Sequence, residues 1–219
     1  ATRAHPRCQA INYVQLESSQ EGGVLLRDEA TGQGFVVCPR VVVNATGGWV
    51  DKTNAALGLQ TRYMGPTKGS HLVVDNQELH RALDGRMVYY QYDDGRVCIV
   101  FPFLDKVIMG STDIRVDDPD TVCCDEDEIL YMLTTLRSVF PGITIPRENI
   151  VFTFCGVRPL PRTGTDVTAI VSRGHSVRLE EAGAPRAFPV YSLIGGKWTT
   201  FRAFAEQVAD QILSRLEAR

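Results

Sequence analysis

Tyr191-Ser192-Leu193-Ile194-Gly195-Gly196-Lys197-Trp198-Thr199-Thr200 decides how this chain is read. An apolar strand runs into two glycines, a cation and two hydroxyl residues that open a helix continuing to about Arg215. Such a junction aims unpaired backbone N–H groups and the positive end of a helix dipole at whatever sits above it. Gly195 and Gly196 let a flat or anionic ligand approach the main chain closely, and Lys197 adds a mobile charge. Thr199 or Thr200 can cap the helix, whose buried face is expected to run through Phe201, Phe204, Ala205, Val208, Ile212 and Leu216. The same residues also fit an ordinary strand–helix turn with a solvated lysine.

Far upstream, Arg40-Val41-Val42-Val43-Asn44-Ala45-Thr46-Gly47-Gly48-Trp49 carries a continuous β-branched run. That is the pattern of a strand buried on both faces, as in a parallel sheet. It ends in small residues, where open α/β sheets commonly bind ligands. Thr46 and its neighbours could meet a cofactor there, or form only a tight strand exit. A short helix is expected over 50–57, stopped at Gly58. Before this strand, residues 9–43 read as a small antiparallel meander with a turn at Glu29-Ala30-Thr31-Gly32-Gln33-Gly34.

The middle of the chain is strand-rich. Gly69-Ser70-His71-Leu72-Val73-Val74 is one expected strand, and residues 86–92 and 96–103 form a hairpin across Asp93-Asp94-Gly95. Residues 106–110 continue that sheet after a turn at Leu104-Asp105. A helix over 125–139 has acidic residues in its first turn, an apolar stripe at Ile129, Leu133, Leu136 and Phe140, and a Pro141-Gly142 stop. Residues 150–157, 168–172, 176–179 and 188–194 complete the strands. The order of meander, buried strand, mixed sheet, return strand and helix describes an α+β (mixed α/β) chain of two interleaved lobes.

The 219 residues suffice for one large domain or two small ones, and a net charge of −3 leaves no electrostatic footprint for nucleic acid. No apolar run approaches the roughly 20 residues that span a bilayer. The N-terminal Ala1-Thr2-Arg3-Ala4-His5-Pro6-Arg7 has no apolar segment behind it and does not read as a signal peptide. Six cysteines show no C-x-x-C pair and no histidine at zinc-ligand spacing, so no metal site is expected. Cys38, Cys98 and Cys155 lie in apolar stretches and are expected to be buried thiols in a reducing, cytoplasmic setting.

Two further groups could carry chemistry. His71 opens a strand after a Gly-Ser turn, where a neutral imidazole can face a pocket and accept a proton, or serve as a hydrogen-bonded structural residue. Arg158, in Cys155-Gly156-Val157-Arg158-Pro159-Leu160-Pro161, sits between a strand and a double-proline loop. Proline restricts the residue before it, which suits the guanidinium to bidentate capture of phosphate or carboxylate. Arg173 closes the strand over 168–172 and is unremarkable by itself. There is no G-x-G-x-x-G, nucleophile elbow, P-loop or H-E-x-x-H. Composition and spacing reach a pocket with cations and a candidate base.

Taken together, Val42-Val43-Asn44-Ala45-Thr46-Gly47, Lys68-Gly69-Ser70-His71, Met109-Gly110-Ser111-Thr112-Asp113, Gly156-Val157-Arg158-Pro159-Leu160 and Gly195-Gly196-Lys197-Trp198-Thr199-Thr200-Phe201-Arg202 resemble one family. It is the FAD-dependent glycerol-3-phosphate dehydrogenases, within the D-amino-acid-oxidase-like flavoproteins. The resemblance implies an FAD-binding lobe over 1–61 and 191–219, containing the meander 9–43, and an antiparallel-sheet substrate lobe over 62–190. It also implies a strand–glycine-turn–helix unit for the FAD pyrophosphate ahead of residue 1, so the chain looks like the middle and end of the flavoprotein body.

By the same resemblance, Thr46 and Gly47 lie near FAD, and Gly195, Gly196, Lys197, Trp198 and Thr199 lie beside its ring system. His71 and Arg158 face the substrate as catalytic groups, while Arg158, Arg173 and Lys197 supply charge to it. The implied reaction oxidises glycerol 3-phosphate to dihydroxyacetone phosphate, with electrons passing to a quinone or other acceptor. The implied setting is cytoplasmic, with peripheral attachment of the full-length protein to the inner face of the membrane left open. Two alternatives stand beside it: a related FAD oxidase of amines or 2-hydroxy acids, and an isolated domain inactive without its FAD cradle.

Overall fold

The computed structural model describes residues 7–20, 22–164, 174–184 and 186–217. The chain divides into two units, Ala1–Met64 with Arg173–Arg219, and Gly65–Ser172.

In the first unit, β1 (Val14–Gln20), β2 (Gly23–Asp28) and β3 (Gly34–Val37) form the expected antiparallel meander. Its turn is built by Asp28, whose carboxylate accepts the amides of Ala30 and Thr31 at 2.8 and 3.2 Å. A second sheet has the order β11 (His175–Glu180), β12 (Val190–Gly195), β4 (Val42–Asn44). β12 runs antiparallel to β11 and parallel to β4. α1 (Val50–Ala56) follows β4, and Leu57 just beyond it joins Val24, Phe188 and Val190 in a core that also gathers Leu16, Leu26 and Val42. The meander thus buries its apolar face on the strands that carry the glycine corner.

Three expectations fail here for local reasons. β4 is not buried on both faces: Val42 is half-buried in the core with Leu57 and Asn44 is buried, but Val43 on the other face is 44% exposed. α4 (Phe201–Glu217) buries Phe204 and Val208 and half-buries Ile212 and Leu216, while Phe201 and Ala205 are exposed. The buried stripe is therefore a narrow i, i+4 row and omits the first turn. Cys38, just past the exposed strand β3, lies at the surface, Cys155 is half-buried, and only Cys98 of the three is fully enclosed.

The second unit is one antiparallel sheet in the order β10-β5-β8-β7-β6, built from β5 (Thr67–Val74), β6 (Val88–Gln91), β7 (Val97–Phe103), β8 (Lys106–Gly110) and β10 (Ile150–Arg158). Two-residue β9 (Ile114–Arg115) adds to β5 beyond the end of β8. Leu72, Val74, Val100, Val107 and Met109 point to one face and pack against Leu79 and Leu83 of α2 (Gln77–Leu83) and Ile129, Met132 and Leu136 of α3 (Glu126–Arg137). α3 starts with a complete capping box: Asp125 accepts the Glu128 amide and Glu128 accepts the Asp125 amide. α2 was not anticipated, although Asn76 caps it by accepting from the Leu79 amide. The expected strand over 168–172 lies outside the described residues.

The Leu104-Asp105 turn and the hairpin across Asp93-Asp94-Gly95 form as expected.

Candidate active site

In the first unit the proposed cofactor residues gather at one sheet end. β4 and β12 are parallel neighbours, with Asn44 opposite Ser192, so both chains leave the sheet at the same end. That common exit is where open α/β sheets place ligands. A buried amide network locks it: Asn44 Nδ2 donates to Asn54 Oδ1 (2.7 Å) and to the Val50 carbonyl (2.9 Å), and Asn54 Nδ2 donates to Ser192 Oγ (3.0 Å). Thr46 Oγ1 donates to Asn44 Oδ1 at 2.6 Å, so its hydroxyl is held by the same network. Gly47 follows on the turn Gly47–Trp49.

The glycine corner is sterically required. Gly195 has φ +74°, and a Cβ there would lie 2.3 Å from the Gly174 carbonyl oxygen. A Cβ on Gly196 would meet nothing closer than 3.7 Å, so space remains above that residue. Thr200 opens α4: its carbonyl accepts the Phe204 amide, and its hydroxyl accepts the Lys197 amide at 3.1 Å. Lys197 and Thr199 are exposed and the Trp198 indole is 92% exposed. A bare cation and a ring plane at a positive helix end fit a flat, electron-rich group such as the flavin of FAD.

In the second unit His71 and Arg158 lie on the sheet face opposite the helices. His71 stands between Phe154 on β10 and Gly110 on β8 in the strand register. Its ring stacks on Phe154 with centroids 5.0 Å apart and planes within 5°. A Cβ at Gly110 would come within 2.4 Å of His71 Cδ2, so glycine there is what lets the imidazole lie down on β8. Nδ1 is buried without a partner, which leaves Nε2 as the nitrogen open to a ligand. Burial, and then the positive charge of Arg158, hold the His71 pKa below its ordinary value. The ring is thereby kept neutral, the form that accepts a proton.

Arg158 reaches across Gly69, where a Cβ would sit 2.0 Å from Nη2. Nη1 donates to Asp113 Oδ1 and Nη2 to Ser111 Oγ, both at 3.1 Å. The guanidinium is thus fixed by a fork of partners supplied by the segment joining β8 to β9. Gly69, Gly110 and Gly156 leave this part of the sheet without bulk, and Phe152 and Phe154 border it from β10.

On the covered face, directly behind, lies a charged cluster. Glu128 is 2% exposed and accepts from Ser70 Oγ (2.8 Å), Thr112 Oγ1, Lys68 Nζ (2.8 Å) and the Asp125 amide (3.1 Å). Burial by itself would raise the Glu128 carboxyl, but the Lys68, Thr112, Asp125 and Ser70 donors outweigh it and keep the group below the usual range. Lys68 also bonds Asp125 at 2.7 Å, and these carboxylates raise its pKa against the opposing pull of burial.

His71 and Arg158 are therefore brought together in one unit, and Thr46, Gly47 and Gly195 to Thr199 at one sheet end in the other. Arg173 lies outside the described residues. Sequence reasoning missed Phe154, Ser111 and Asp113 as site residues. The signal for the last two was present in Arg158 itself, since a cation pinned by a following proline needs fixed acceptors.

Residues 3–211 match the family model described as FAD dependent oxidoreductase, and the chain belongs to that family. It is 31% identical to a glycerol-3-phosphate dehydrogenase of Synechocystis sp., across 94% of this chain and 40% of that protein. It is 27% identical to an aerobic glycerol-3-phosphate dehydrogenase of Staphylococcus aureus, across 98% of this chain and 38% of that protein. The solved structure of the Bacillus halodurans glycerol-3-phosphate dehydrogenase complexed with FAD superposes with a TM-score of 0.77 at 26% identity, covering 94% of this chain and 39% of the other. That likeness establishes the mixed α/β, antiparallel-sheet architecture expected from sequence. The chain spans about two fifths of the length of these relatives. Among the described residues no helix is long and apolar enough to cross a membrane.

Proposed function

We propose that this chain is part of an FAD-dependent dehydrogenase that oxidises glycerol 3-phosphate to dihydroxyacetone phosphate. The observation that carries the reading is the neutral-held imidazole of His71 beside a guanidinium clamped by Ser111 and Asp113, on a face cleared by glycines. His71 accepts the C2 hydroxyl proton at Nε2. Arg158 turns its charge toward the phosphate or the developing alkoxide. Arg173 and Lys197 are assigned to the substrate on the family resemblance alone.

Thr46, Gly47, Gly195, Gly196, Lys197, Trp198 and Thr199 would hold FAD, with the second unit as the substrate lobe; the bounds 62–190 expected from sequence are too wide, because β11 within them pairs with β12 in the first unit. FAD, when bound, would supply the hydride acceptor for C2, with a quinone or another acceptor as the onward electron partner. Lys197 and the first turn of α4 favour negative charge on a ligand held there. We place the reaction in the cytoplasm and leave peripheral membrane attachment of the full-length protein open.

Anaerobic mixing of the full-length flavoprotein with glycerol 3-phosphate tests the reading. Bleaching of the flavin absorbance is expected. A flavin that stays yellow with this substrate but bleaches with an amine or a 2-hydroxy acid would replace the proposal with an oxidase of that class.

A further inference from the structure

The sheet of the second unit has an interruption at its functional end. β8 pairs with β5 as far as Gly110 opposite His71, and β9 resumes with Ile114 opposite Lys68. Between them the chain leaves the ladder over Ser111, Thr112 and Asp113. On the side of the gap, a strand N–H that no neighbouring strand meets needs another acceptor. The Ser70 amide finds it in Thr112 Oγ1 at 2.9 Å, and that hydroxyl in turn donates a hydrogen bond to Glu128 Oε1. Ser70 Oγ donates to the same carboxylate oxygen.

Side chains alternate across a strand, so Ser70 points to the covered face while its neighbours Gly69 and His71 point to the open one. The loop behaves likewise: Thr112 turns inward, and Ser111 and Asp113 on either side of it hold Arg158. One buried carboxylate therefore ties together the two backbone segments that carry the groups on the far side. Its second oxygen is held by Lys68 of β5 and by the amide of Asp125, the cap of α3.

We propose that Glu128, acting through Ser70 and Thr112, is a positioning residue for His71 and Arg158. It touches no ligand. It sets the spacing between the imidazole and the guanidinium across the sheet. The proposal rests on the functional reading above only for the identity of the substrate.

Thr112→Val removes the shared hydroxyl at nearly constant volume, and Thr112→Ser keeps it. In the flavin-loaded full-length protein, Thr112→Val is expected to raise KM for glycerol 3-phosphate about tenfold, with a smaller fall in kcat, and Thr112→Ser to restore wild-type behaviour. The His71 titration, followed by NMR on isotope-labelled histidine, is expected to move upward in Thr112→Val as the Arg158 charge swings away. The groups facing His71 are Arg158 from β10, held by Asp113 from the loop, together with uncharged Phe154 and Gly110. Glu128→Gln should raise KM in the same direction, and the double variant with Thr112→Val should be no worse than Thr112→Val alone.

An unchanged KM and His71 titration in Thr112→Val, whatever its melting temperature, would overturn the proposal. So would a Thr112→Ser variant as impaired as Thr112→Val, or strictly additive effects of the two positions. If the wild-type protein does not oxidise glycerol 3-phosphate, the functional reading fails, and the histidine titration alone decides the positioning role.

Discussion

Gly69→Ala separates the placement of Arg158 from the stability of the sheet. Gly69 lies in β5 outside the left-handed region, so alanine is acceptable to the backbone. Its Cβ, however, would stand 2.0 Å from Arg158 Nη2 and 2.3 Å from Cζ. The end of a long side chain yields more readily than a strand, so the guanidinium must leave Ser111 and Asp113. Those two bonds, on a side chain 26% exposed, are together worth about 1–2 kcal/mol after solvent screening. Replacing a strand glycine returns about 0.5–1 kcal/mol of backbone entropy. Net stability should therefore shift by no more than about 1 kcal/mol in urea unfolding.

Activity responds differently. A displaced Arg158 no longer meets the substrate anion, and losing one partner of a desolvated charge pair costs about 2–4 kcal/mol. That corresponds to a fall in kcat/KM of roughly 30- to 1000-fold. The assay is a double-mutant cycle on the full-length flavoprotein with Gly69→Ala, Arg158→Ala and both together. Because Gly69→Ala is expected to act only through Arg158, the double variant should match Arg158→Ala. Independent, additive losses would refute the claim that the glycine exists to seat the guanidinium.

Other outcomes follow from the same geometry. Gly195→Ala combines a positive φ with a contact to the Gly174 backbone that cannot yield, so a loss of about 1–3 kcal/mol in unfolding free energy is expected, with reduced FAD content in the purified protein. His71→Ala should slow flavin reduction in rapid mixing by about 10²–10⁴-fold; undiminished reduction removes His71 from the mechanism. Its pKa is held below 6.5, so the neutral base persists as pH falls through that value, and kcat/KM should decline only at more acidic pH. Arg158→Ala removes one of the two depressing influences and should move that decline upward, toward the ordinary histidine value.

Periodicity made most elements legible, because each buries a face. The meander, the hairpin at Asp93-Asp94-Gly95 and the capped helix α3 all announce themselves by alternation, turn chemistry or cap. Helix α2 is short, and its apolar anchors Leu79 and Leu83 are too few to stand out from the surrounding strands. The exposed Val43 shows the limit of composition: a β-branched run states that a strand forms, but the covering of each face depends on elements distant in sequence. The site followed the same division. His71 and Arg158 were visible through the residues beside them, Gly-Ser and Pro respectively. Their partners Ser111, Asp113 and Phe154 sit on other strands, and only the register brings them near.

Lys68-Gly69-Ser70-His71 shows why a motif can be read correctly and still be half understood. All four residues belong to one strand, yet they serve opposite faces. Gly69 and His71 clear and furnish the open face, whereas Lys68 and Ser70 enter the buried cluster around Glu128. A charged cluster is an expensive way to fill a core, since burying an ion pair offers little stability over well-packed apolar residues. What apolar residues could not supply is direction. A carboxylate with fixed donors selects one register of β5 against the 111–113 loop, while a hydrophobic contact would tolerate several. The strand with the densest motif is therefore the one whose two faces are chemically coupled, and a change at Lys68 or Ser70 should reach His71 without passing through solvent.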